Sequence, residues 1–267
     1  MRPFLSLVLL LLCAAHHEAL AQAQKCPVAK TMTFRLEKQI RRDTLGFTQG
    51  LEIDRGTLLE STGNLFGDTR INRIDPQSGK VTQLMNAGKR YFGEGLTVMG
   101  ERIYQLSWQE GRVFVFDRQM RPLGEFENPR DGWGLTHDDT RLIASDGSSR
   151  LFFHSPQDFR TLGAVRVTRN GRYVDSLNEL EYAQGSVWAN LFQSWEIVRI
   201  NPATGCVEAS ADLKSLRLRM NTAERKYIES EFNFVLNGIA HDPASGQFIL
   251  TGKNWPSLFF GRFVELP

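Results

Sequence analysis

Short apolar runs and turn residues alternate along the chain from about residue 31 to its end. Residues 57–61, 103–106 and 187–190 are examples, rich in leucine, β-branched or aromatic side chains and with Gly, Asp or Asn close by. Runs of this length between turn residues predict β-strands that are joined by hairpins. The pattern therefore predicts an all-β protein.

One short phrase recurs along this pattern: a polar or aromatic side chain, followed by Gly-Leu or a close variant. Successive copies are separated by 45, 39, 45 and 59 residues. The copies are Gln49-Gly50-Leu51, Glu94-Gly95-Leu96, Trp133-Gly134-Leu135, Asn178-Glu179-Leu180 and Asn237-Gly238-Ile239. Self-similarity at about 40–50 residues in a strand-rich chain is typical of propeller blades. We therefore expect a five-bladed β-propeller with four-stranded blades.

The segments outside the repeats fit into the same ring. The alternating strand at about 31–42 precedes the first copy, and we expect it to close the ring as the outer strand of the last blade, because open sheet edges invite pairing. The longest interval holds an insertion at about 214–235, in which residues 222–228 have the pattern of a short helix with Asn221 as its N-cap. These features predict a single domain over residues 31–267.

The first residues have the composition of a targeting segment. Arg2 provides a positive end, residues 4–12 are apolar, and Ala19-Leu20-Ala21 fits a small-residue cleavage site. The apolar run is too short to span a membrane. We expect a signal peptide at 1–21 with cleavage near 21–23, export to the periplasm or the medium, and no membrane insertion.

Composition limits the kinds of partner that the protein is expected to bind. Hydrophobic residues make up 41% and charged residues 23% of the 267 residues, and the net charge is +2. Lys and Arg are scattered, so the basic cluster that nucleic-acid binding needs is missing from the sequence. We expect a monomer that binds neither nucleic acid nor membrane.

Cysteine usage leaves one question open. Removal of the leader would leave Cys26 and Cys206, which could form a disulfide in an exported chain. Their spacing alone does not decide whether they meet. Two distant cysteines without a His/Cys cluster do not suggest a metal site, although a structural ion in an axial channel remains open.

Propeller geometry brings the repeated phrases together. The innermost strand of every blade starts at the same face of the propeller. The first residue of each copy therefore lies at the mouth of the central channel on that face. The ends of the second strands surround that ring with Ser61-Thr62, Trp108, Ser145-Asp146, Asn190 with Phe192, and Lys253. Aromatic walls with few polar groups are typical of small-ligand sites. The alternative is that the aromatic residues only pack between blades and the amides only bind water along the axis.

Other polar residues fit structural roles better. His137-Asp138 and His241-Asp242 follow the first strands of their repeats, at the opposite face, where turn hydrogen bonds are expected. Glu179 and Glu181 share the other side of the strand that carries Asn178, which also suggests a structural role.

The motifs together resemble the plant-type glutaminyl cyclases, a family that also occurs in bacteria. The match runs in order over about residues 40–263. It rests on residues 47–51 (FTQGL), 92–97 (FGEGLT), 131–135 (DGWGL), 177–182 (LNELEY), 187–190 (VWAN), 236–240 (LNGIA) and 251–256 (TGKNWP). The resemblance implies a five-bladed propeller that converts N-terminal Gln of peptides and proteins to pyroglutamate and releases ammonia. It implies no required cofactor, unlike the zinc-dependent animal enzymes, whose ligands find no match here.

The resemblance also implies a set of site residues. Glu94 would be the central catalytic group, assisted by Lys253, Asn178 and Gln49. The plant enzymes have a Trp where this chain has Phe192, which keeps an apolar wall but loses an indole N–H donor. The resemblance places Phe47, Phe92, Trp108 and Trp133 in the same pocket, which gives eight residues with the four above. The ring at the mouth adds Phe192, Asn237 and Trp255 to the expected substrate-binding residues.

Two other functions stay open at this point, because a propeller fold does not fix function. The chain could be an exported ligand-binding module, which would keep its affinity after substitution of Glu94. It could also be a lactonase-like hydrolase, which would be expected to carry a cluster of acidic metal ligands at the mouth. The sequence puts only Glu94 and Asp146 there.

Overall fold

The structure, a computed structural model, describes residues 26–63 and 68–267. The signal peptide expected at 1–21 and its cleavage region lie outside the described residues. Within them the chain is all-β, as its pattern predicts, with strands arranged mainly as antiparallel sheets of four. Three such sheets come first along the chain, each a meander in which consecutive strands pair.

The first sheet consists of the strands β2 to β5, the second of β6 to β9 and the third of β10 to β13. Their bounds are β2 Thr48–Asp54, β3 Thr57–Thr62, β4 Thr69–Ile74 and β5 Val81–Gly88; β6 Gly93–Met99, β7 Arg102–Ser107, β8 Arg112–Asp117 and β9 Pro122–Glu127; β10 Leu135–His137, β11 Leu142–Ala144, β12 Arg150–His154 and β13 Thr161–Arg166. A two-stranded hairpin that the sequence pattern did not predict follows, with β14 Thr168–Arg169 and β15 Arg172–Tyr173.

The remaining strands form one eight-stranded sheet in the order β16-β17-β18-β19-β1-β22-β21-β20. Their bounds are β1 Lys30–Arg41, β16 Leu177–Ala183, β17 Ser186–Leu191, β18 Glu196–Ile200, β19 Val207–Asp212, β20 Leu236–Asp242, β21 Gln247–Gly252 and β22 Ser257–Glu265. The N-terminal strand β1 pairs antiparallel with the last strand β22, which confirms that it is the outer strand of the last unit.

Strand β1 also makes a contact that was not predicted. Its first residues, Lys30 to Met32, pair in parallel with Ala209 to Ala211 of β19. Cys26 and Cys206 form a disulfide with a Cα–Cα distance of 5.4 Å, so the chain just before β1 is fixed beside the start of β19. The disulfide therefore settles the question that the cysteine spacing left open, and it lies directly beside the parallel pairing of β1 with β19.

The inner strands of the units contact each other in cyclic order. β2 contacts β6 and β20, β10 contacts β6 and β16, and β16 contacts β20. Glycine in the repeated phrase permits this approach. A Cβ on Gly50 would lie 2.5 Å from the Leu96 nitrogen, and one on Gly95 would lie 2.4 Å from the Leu135 nitrogen. The repeated Gly is therefore explained by backbone contact between neighbouring inner strands.

Buried carboxyl groups tie the inner strands together. Glu179 accepts hydrogen bonds from the backbone N–H of Leu51 at 3.1 Å and of Ile239 at 2.8 Å. Glu181 accepts from the N–H of His241 at 2.9 Å. Burial raises the pKa of both carboxyls well above the ordinary value. These contacts confirm the structural role that the sequence suggested for Glu179 and Glu181.

The insertion has the helical content that its sequence indicates. A 3₁₀ segment covers Lys214–Arg219, and the helix α1 covers Thr222–Glu229. Asn221 is its N-cap, and it shares a capping box with Glu224, whose carboxylate accepts from the Asn221 N–H at 2.8 Å. No helix within residues 26–63 and 68–267 is long and apolar enough to cross a membrane.

Loss of the disulfide is expected to destabilise the fold. The bond closes a loop of 180 residues, and removing such a link increases the conformational freedom of the unfolded chain. The double variant Cys26→Ser/Cys206→Ser should lose about 2–5 kcal/mol of unfolding free energy, measured by denaturant titration. Reductant should lower the stability of the wild type and leave the double variant unchanged. Equal stability of the two proteins without reductant would contradict this expectation.

Candidate active site

A cavity of about 180 Å³ opens at the face where the inner strands begin. It contains all eight residues that the resemblance proposes for the pocket, and also Phe192. Its lining consists of Phe47, Gln49, Phe92, Glu94, Trp108, Trp133, Asn178, Phe192, Asn233 and Lys253. The ring of residues expected at one mouth therefore does converge in space.

Equivalent places in the repeats explain this convergence. Gln49, Glu94 and Asn178 are each the second residue of an inner strand, β2, β6 and β16 respectively. Trp108 and Lys253 each directly follow a second strand, β7 and β21. Side chains at matching positions of adjacent units lie at the same height, so the cavity combines residues from distant parts of the chain.

Two of the expected substrate-binding residues do not line the cavity. Asn237 is fully buried, and its Nδ2 donates to the Thr48 carbonyl at 2.9 Å and to Gln49 Oε1 at 3.3 Å. Trp255 is also fully buried, and its Nε1 donates to the Phe234 carbonyl at 2.9 Å. The Trp255 N–H and the Asn237 Nδ2 are bound to protein groups, whereas Asn237 Oδ1 has no hydrogen-bond partner within the described residues. Both side chains lie behind the cavity wall.

The sequence interpretation missed one lining residue, Asn233. It belongs to the insertion before β20, which leads into the inner strand that carries Asn237. No periodicity in that irregular segment indicates which side chain faces the cavity. The general location was predictable, but the residue was not.

Aromatic rings form the cavity wall through edge contacts. The ring centroids of Phe47 and Phe92 are 6.2 Å apart, those of Phe92 and Trp108 are 5.6 Å apart, and those of Trp133 and Phe192 are 5.5 Å apart. Trp108 is 39% exposed and lies at the opening. The wall excludes water from the polar groups inside, which strengthens their electrostatic interactions.

Glu94 is a buried carboxyl with one satisfied and one free oxygen. Gln49 Nε2 donates to Glu94 Oε1 at 3.0 Å, whereas the buried Oε2 has no hydrogen-bond partner within the described residues. Burial raises the pKa of Glu94 well above the ordinary value; the attraction of Lys253 opposes this shift, and the charges of Glu110 and Asp131 add to it. Glu94 therefore has an unusually high affinity for a proton.

Lys253 is a buried amine held by aromatic rings. Its Nζ lies 5.2 Å from the ring centre of Phe47 and 5.0 Å from that of Phe192. Burial lowers the pKa of Lys253 to about 8, and the nearby Glu94 limits that shift. At neutral pH the amine is mostly protonated, so it can place a positive charge inside an apolar cavity.

The other candidate groups have the structural contacts expected of them. Asp138 accepts from the N–H groups of Thr140 and Arg141, and Asp242 accepts from that of Ala244, as turn residues do. Asp146 accepts from the N–H of Ser148 and does not line the cavity. Residues 26–63 and 68–267 contain no group of three His, Cys, Asp or Glu side chains that could hold a metal ion. The question of an ion in the axial channel, which the sequence left open, stays open.

The fold and the cavity together define a class of protein: an all-β protein whose repeated strands enclose a small aromatic pocket with one buried carboxyl and one buried amine. That pair can bind a small polar group, exclude water from it and exchange protons with it. Comparison with known proteins shows which family the chain belongs to.

A family model described as glutamine cyclotransferase matches residues 7–263. The chain is 40% identical over 220 residues to glutaminyl-peptide cyclotransferase from Arabidopsis thaliana, which covers 81% of this chain and 67% of that relative. It also resembles the crystal structure of Myxococcus xanthus glutaminyl cyclase, with a TM-score of 0.78 and 32% identity over 90% of this chain and 100% of the other. The chain belongs to the glutamine cyclotransferase family, which confirms the resemblance found in its motifs.

Proposed function

We propose that this protein is a glutaminyl-peptide cyclotransferase, which converts the N-terminal Gln of peptides and proteins to pyroglutamate and releases ammonia. Membership of the family supports the activity. The observation that carries the mechanism is the buried Glu94, which lines an aromatic cavity together with Lys253 and whose Oε2 has no hydrogen-bond partner within the described residues. The remaining residue roles below are part of the same proposal.

The architecture is proposed to be a five-bladed ring. Support comes from three separate four-stranded sheets, an eight-stranded sheet that contains two further units joined through β1, and inner strands that contact each other in cyclic order. Such a ring is a single domain over residues 31–267. It would bring one residue of each blade to the cavity or directly behind it.

The first chemical step prepares the nucleophile. The substrate enters with its α-amine as an ammonium, and Glu94 Oε2 accepts a proton from it. The pKa of an α-ammonium is about 7.7–8.0, and burial raises the pKa of Glu94, so burial lowers the free-energy cost of this proton transfer. An exposed carboxylate, with its lower pKa, would be a much weaker base.

The second step closes the ring and expels ammonia. The amine nitrogen forms a bond to the side-chain carboxamide carbon, and the electron pair of its C=O moves to oxygen. Glu94 first gives the proton that it took from the ammonium to the amide nitrogen and then takes the remaining extra proton from the attacking nitrogen. The bond between carbon and the amide nitrogen breaks as C=O re-forms, and the proton left on Glu94 passes to the released ammonia. Both partners belong to one molecule, so holding the side chain folded in the cavity removes much of the entropic cost.

Lys253 and Asn178 are proposed to stabilise the negative oxygen of the tetrahedral intermediate. Both line the cavity, and both side chains are at most 5% exposed. Fixed donors in a water-poor site act strongly on charge that develops during a reaction. Trp108, Trp133 and Phe192 would hold the aliphatic part of the Gln side chain, with Phe192 contributing an apolar surface and no N–H donor.

Export is proposed as the destination of the chain. The leader-like composition of the first residues predicts it, and the disulfide between Cys26 and Cys206 supports an oxidising compartment. We further propose that the enzyme acts as a monomer and needs no cofactor for the reaction.

The alkaline side of the rate profile should depend on Lys253. The pKa of this amine is about 8 instead of its usual value above 10. The charged form is present below this pKa and is lost as pH rises through it. We therefore expect kcat to fall above about pH 8. In Lys253→Arg, whose guanidinium stays protonated, this fall should disappear. An identical fall in the variant would assign it to another group.

A panel of short peptides tests the proposed activity. Peptides that begin with Gln should lose one ammonia and gain a ring, detected by mass spectrometry together with an equal amount of free ammonia. Peptides that begin with Asn, or that carry Gln only at the second position, should remain unchanged, because neither closes a five-membered lactam from its α-amine. Tight binding of Gln peptides without any product would favour a ligand-binding module, and hydrolysis of a lactone substrate would favour the lactonase alternative.

A further inference from the structure

Three polar side chains form a line that runs from behind the cavity to its wall. Asn237 Nδ2 donates to the Thr48 carbonyl at 2.9 Å and to Gln49 Oε1 at 3.3 Å. Gln49 Nε2 in turn donates to Glu94 Oε1 at 3.0 Å. The line joins β20, β2 and β6, the inner strands of three adjacent units.

A backbone carbonyl fixes the direction of every bond in this line. The Thr48 carbonyl can only accept, so the amide nitrogen of Asn237 faces it and faces Gln49 as well. Gln49 must then turn its oxygen toward Asn237. Its NH₂ group consequently points toward Glu94.

The direction matters for the carboxyl at the end of the line. Glu94 Oε1 receives an N–H and can only accept there, whichever protonation state the carboxyl has. The other oxygen, Oε2, is buried without a partner within the part of the chain that is described. A proton bound to Glu94 is therefore favoured on Oε2, because Oε1 is the stronger acceptor for the Gln49 N–H when it carries no proton.

We propose that Asn237 is a positioning residue for catalysis: through Gln49 it keeps Glu94 Oε1 as an acceptor and reserves Oε2 for the proton that moves between substrate nitrogens. This rests on the proposed function of Glu94. Asn237 does not line the cavity and acts without touching substrate. Without Asn237, the Gln49 amide is free to rotate and to present its oxygen to Glu94. That oxygen would accept a hydrogen bond from a proton on Glu94 Oε1 and would stabilise the protonated carboxyl in this orientation.

A double-mutant cycle tests this role, with wild type, Asn237→Ala, Gln49→Ala and the double variant assayed on a Gln dipeptide. If Asn237 acts through Gln49, the substitution Asn237→Ala should lower kcat about 10–30-fold in the wild type and less than about threefold in Gln49→Ala. KM should change less than about threefold. Equal losses of kcat in both backgrounds, or a raised KM with unchanged kcat, would overturn the proposal.

Two further variants separate positioning from packing. Asn237→Leu has a similar volume and no donor, so it should reproduce the kcat loss if Asn237→Ala folds poorly. Asn190 is an equally buried asparagine at the mouth, and its Oδ1 accepts from the Gly238 N–H at 3.0 Å without contacting Gln49. Asn190→Ala should therefore show no coupling to Gln49→Ala, and coupling of the same size would contradict a specific role of Asn237.

An infrared titration distinguishes failure of this inference from failure of the proposed activity. The protonated carboxyl band of Glu94, assigned by its loss in Glu94→Gln, should titrate at higher pH in Asn237→Ala than in the wild type. That shift requires no turnover. If the wild type is inactive but the Glu94 titration still shifts in Asn237→Ala, the cyclotransferase proposal is refuted and the proposed orientation of the Gln49 amide is supported. If the wild type is active and the titration does not shift, only the proposed orientation is refuted.

Discussion

Glu94→Gln should lower kcat for Gln-peptide cyclisation about 10³-fold, within the range of 10²–10⁴ that a positioned acid–base group typically contributes. The variant keeps the size of the side chain and can still contact Gln49, but an amide cannot collect and return a proton. KM should change little, because the cavity walls are unchanged. Steady-state ammonia release at saturating peptide measures the effect.

A matched control shows whether the loss is specific to Glu94. Glu179 is also a buried carboxyl with a raised pKa on an inner strand, but it binds backbone N–H groups away from the cavity. Glu179→Gln should lower stability by about 1–3 kcal/mol, because its new NH₂ group would oppose an N–H, and the folded fraction should keep its kcat. Near-normal turnover in Glu94→Gln, or an equal loss in Glu179→Gln, would remove Glu94 from the centre of the mechanism.

Lys253→Met should lower kcat about 10²–10³-fold, the loss that is typical when one donor to a developing oxyanion is removed. Methionine retains most of the apolar stem and removes the ammonium group, which lies 5.2 Å from the ring centre of Phe47 and 5.0 Å from that of Phe192. The loss should appear in kcat more than in KM, since the negative oxygen exists only during the reaction.

The arginine variant provides the control for charge. Lys253→Arg keeps the cation, so it should retain more activity than Lys253→Met even though its planar head fits the cavity less well. If both variants lose activity equally, the position needs the shape of lysine more than its charge. If Lys253→Met retains more than about a tenth of wild-type kcat, the oxyanion role assigned to Lys253 is wrong.

The sequence predicts the strands and the convergence of the site because both depend on a repeated pattern. Gln49, Glu94 and Asn178 occupy one place in three copies of the phrase, so symmetry alone brings them to one mouth. The Gly beside them is required by backbone contact between inner strands. Repetition thus makes long-range neighbours visible in a single sequence.

The remaining features depend on contacts that no repeat encodes. Asn237 and Trp255 were expected in the cavity wall, but each donates a hydrogen bond to a backbone carbonyl behind that wall. Which partner such a side chain binds depends on tertiary packing. Asn233 lies in an irregular segment without periodicity. The pairing of β1 with β19 lies beside the Cys26–Cys206 disulfide, and the spacing of two cysteines does not determine whether they meet.

The most direct test of the central claim is ammonia release from a Gln-initiated dipeptide by the purified wild type, measured before and after treatment with a strong chelator, beside Glu94→Gln. The account predicts ammonia and pyroglutamate in equal amounts, unchanged turnover after chelation and loss of turnover in the variant. Absence of ammonia, or activity that disappears with the chelator and returns with added metal, would contradict a cyclotransferase that works through its own Glu94.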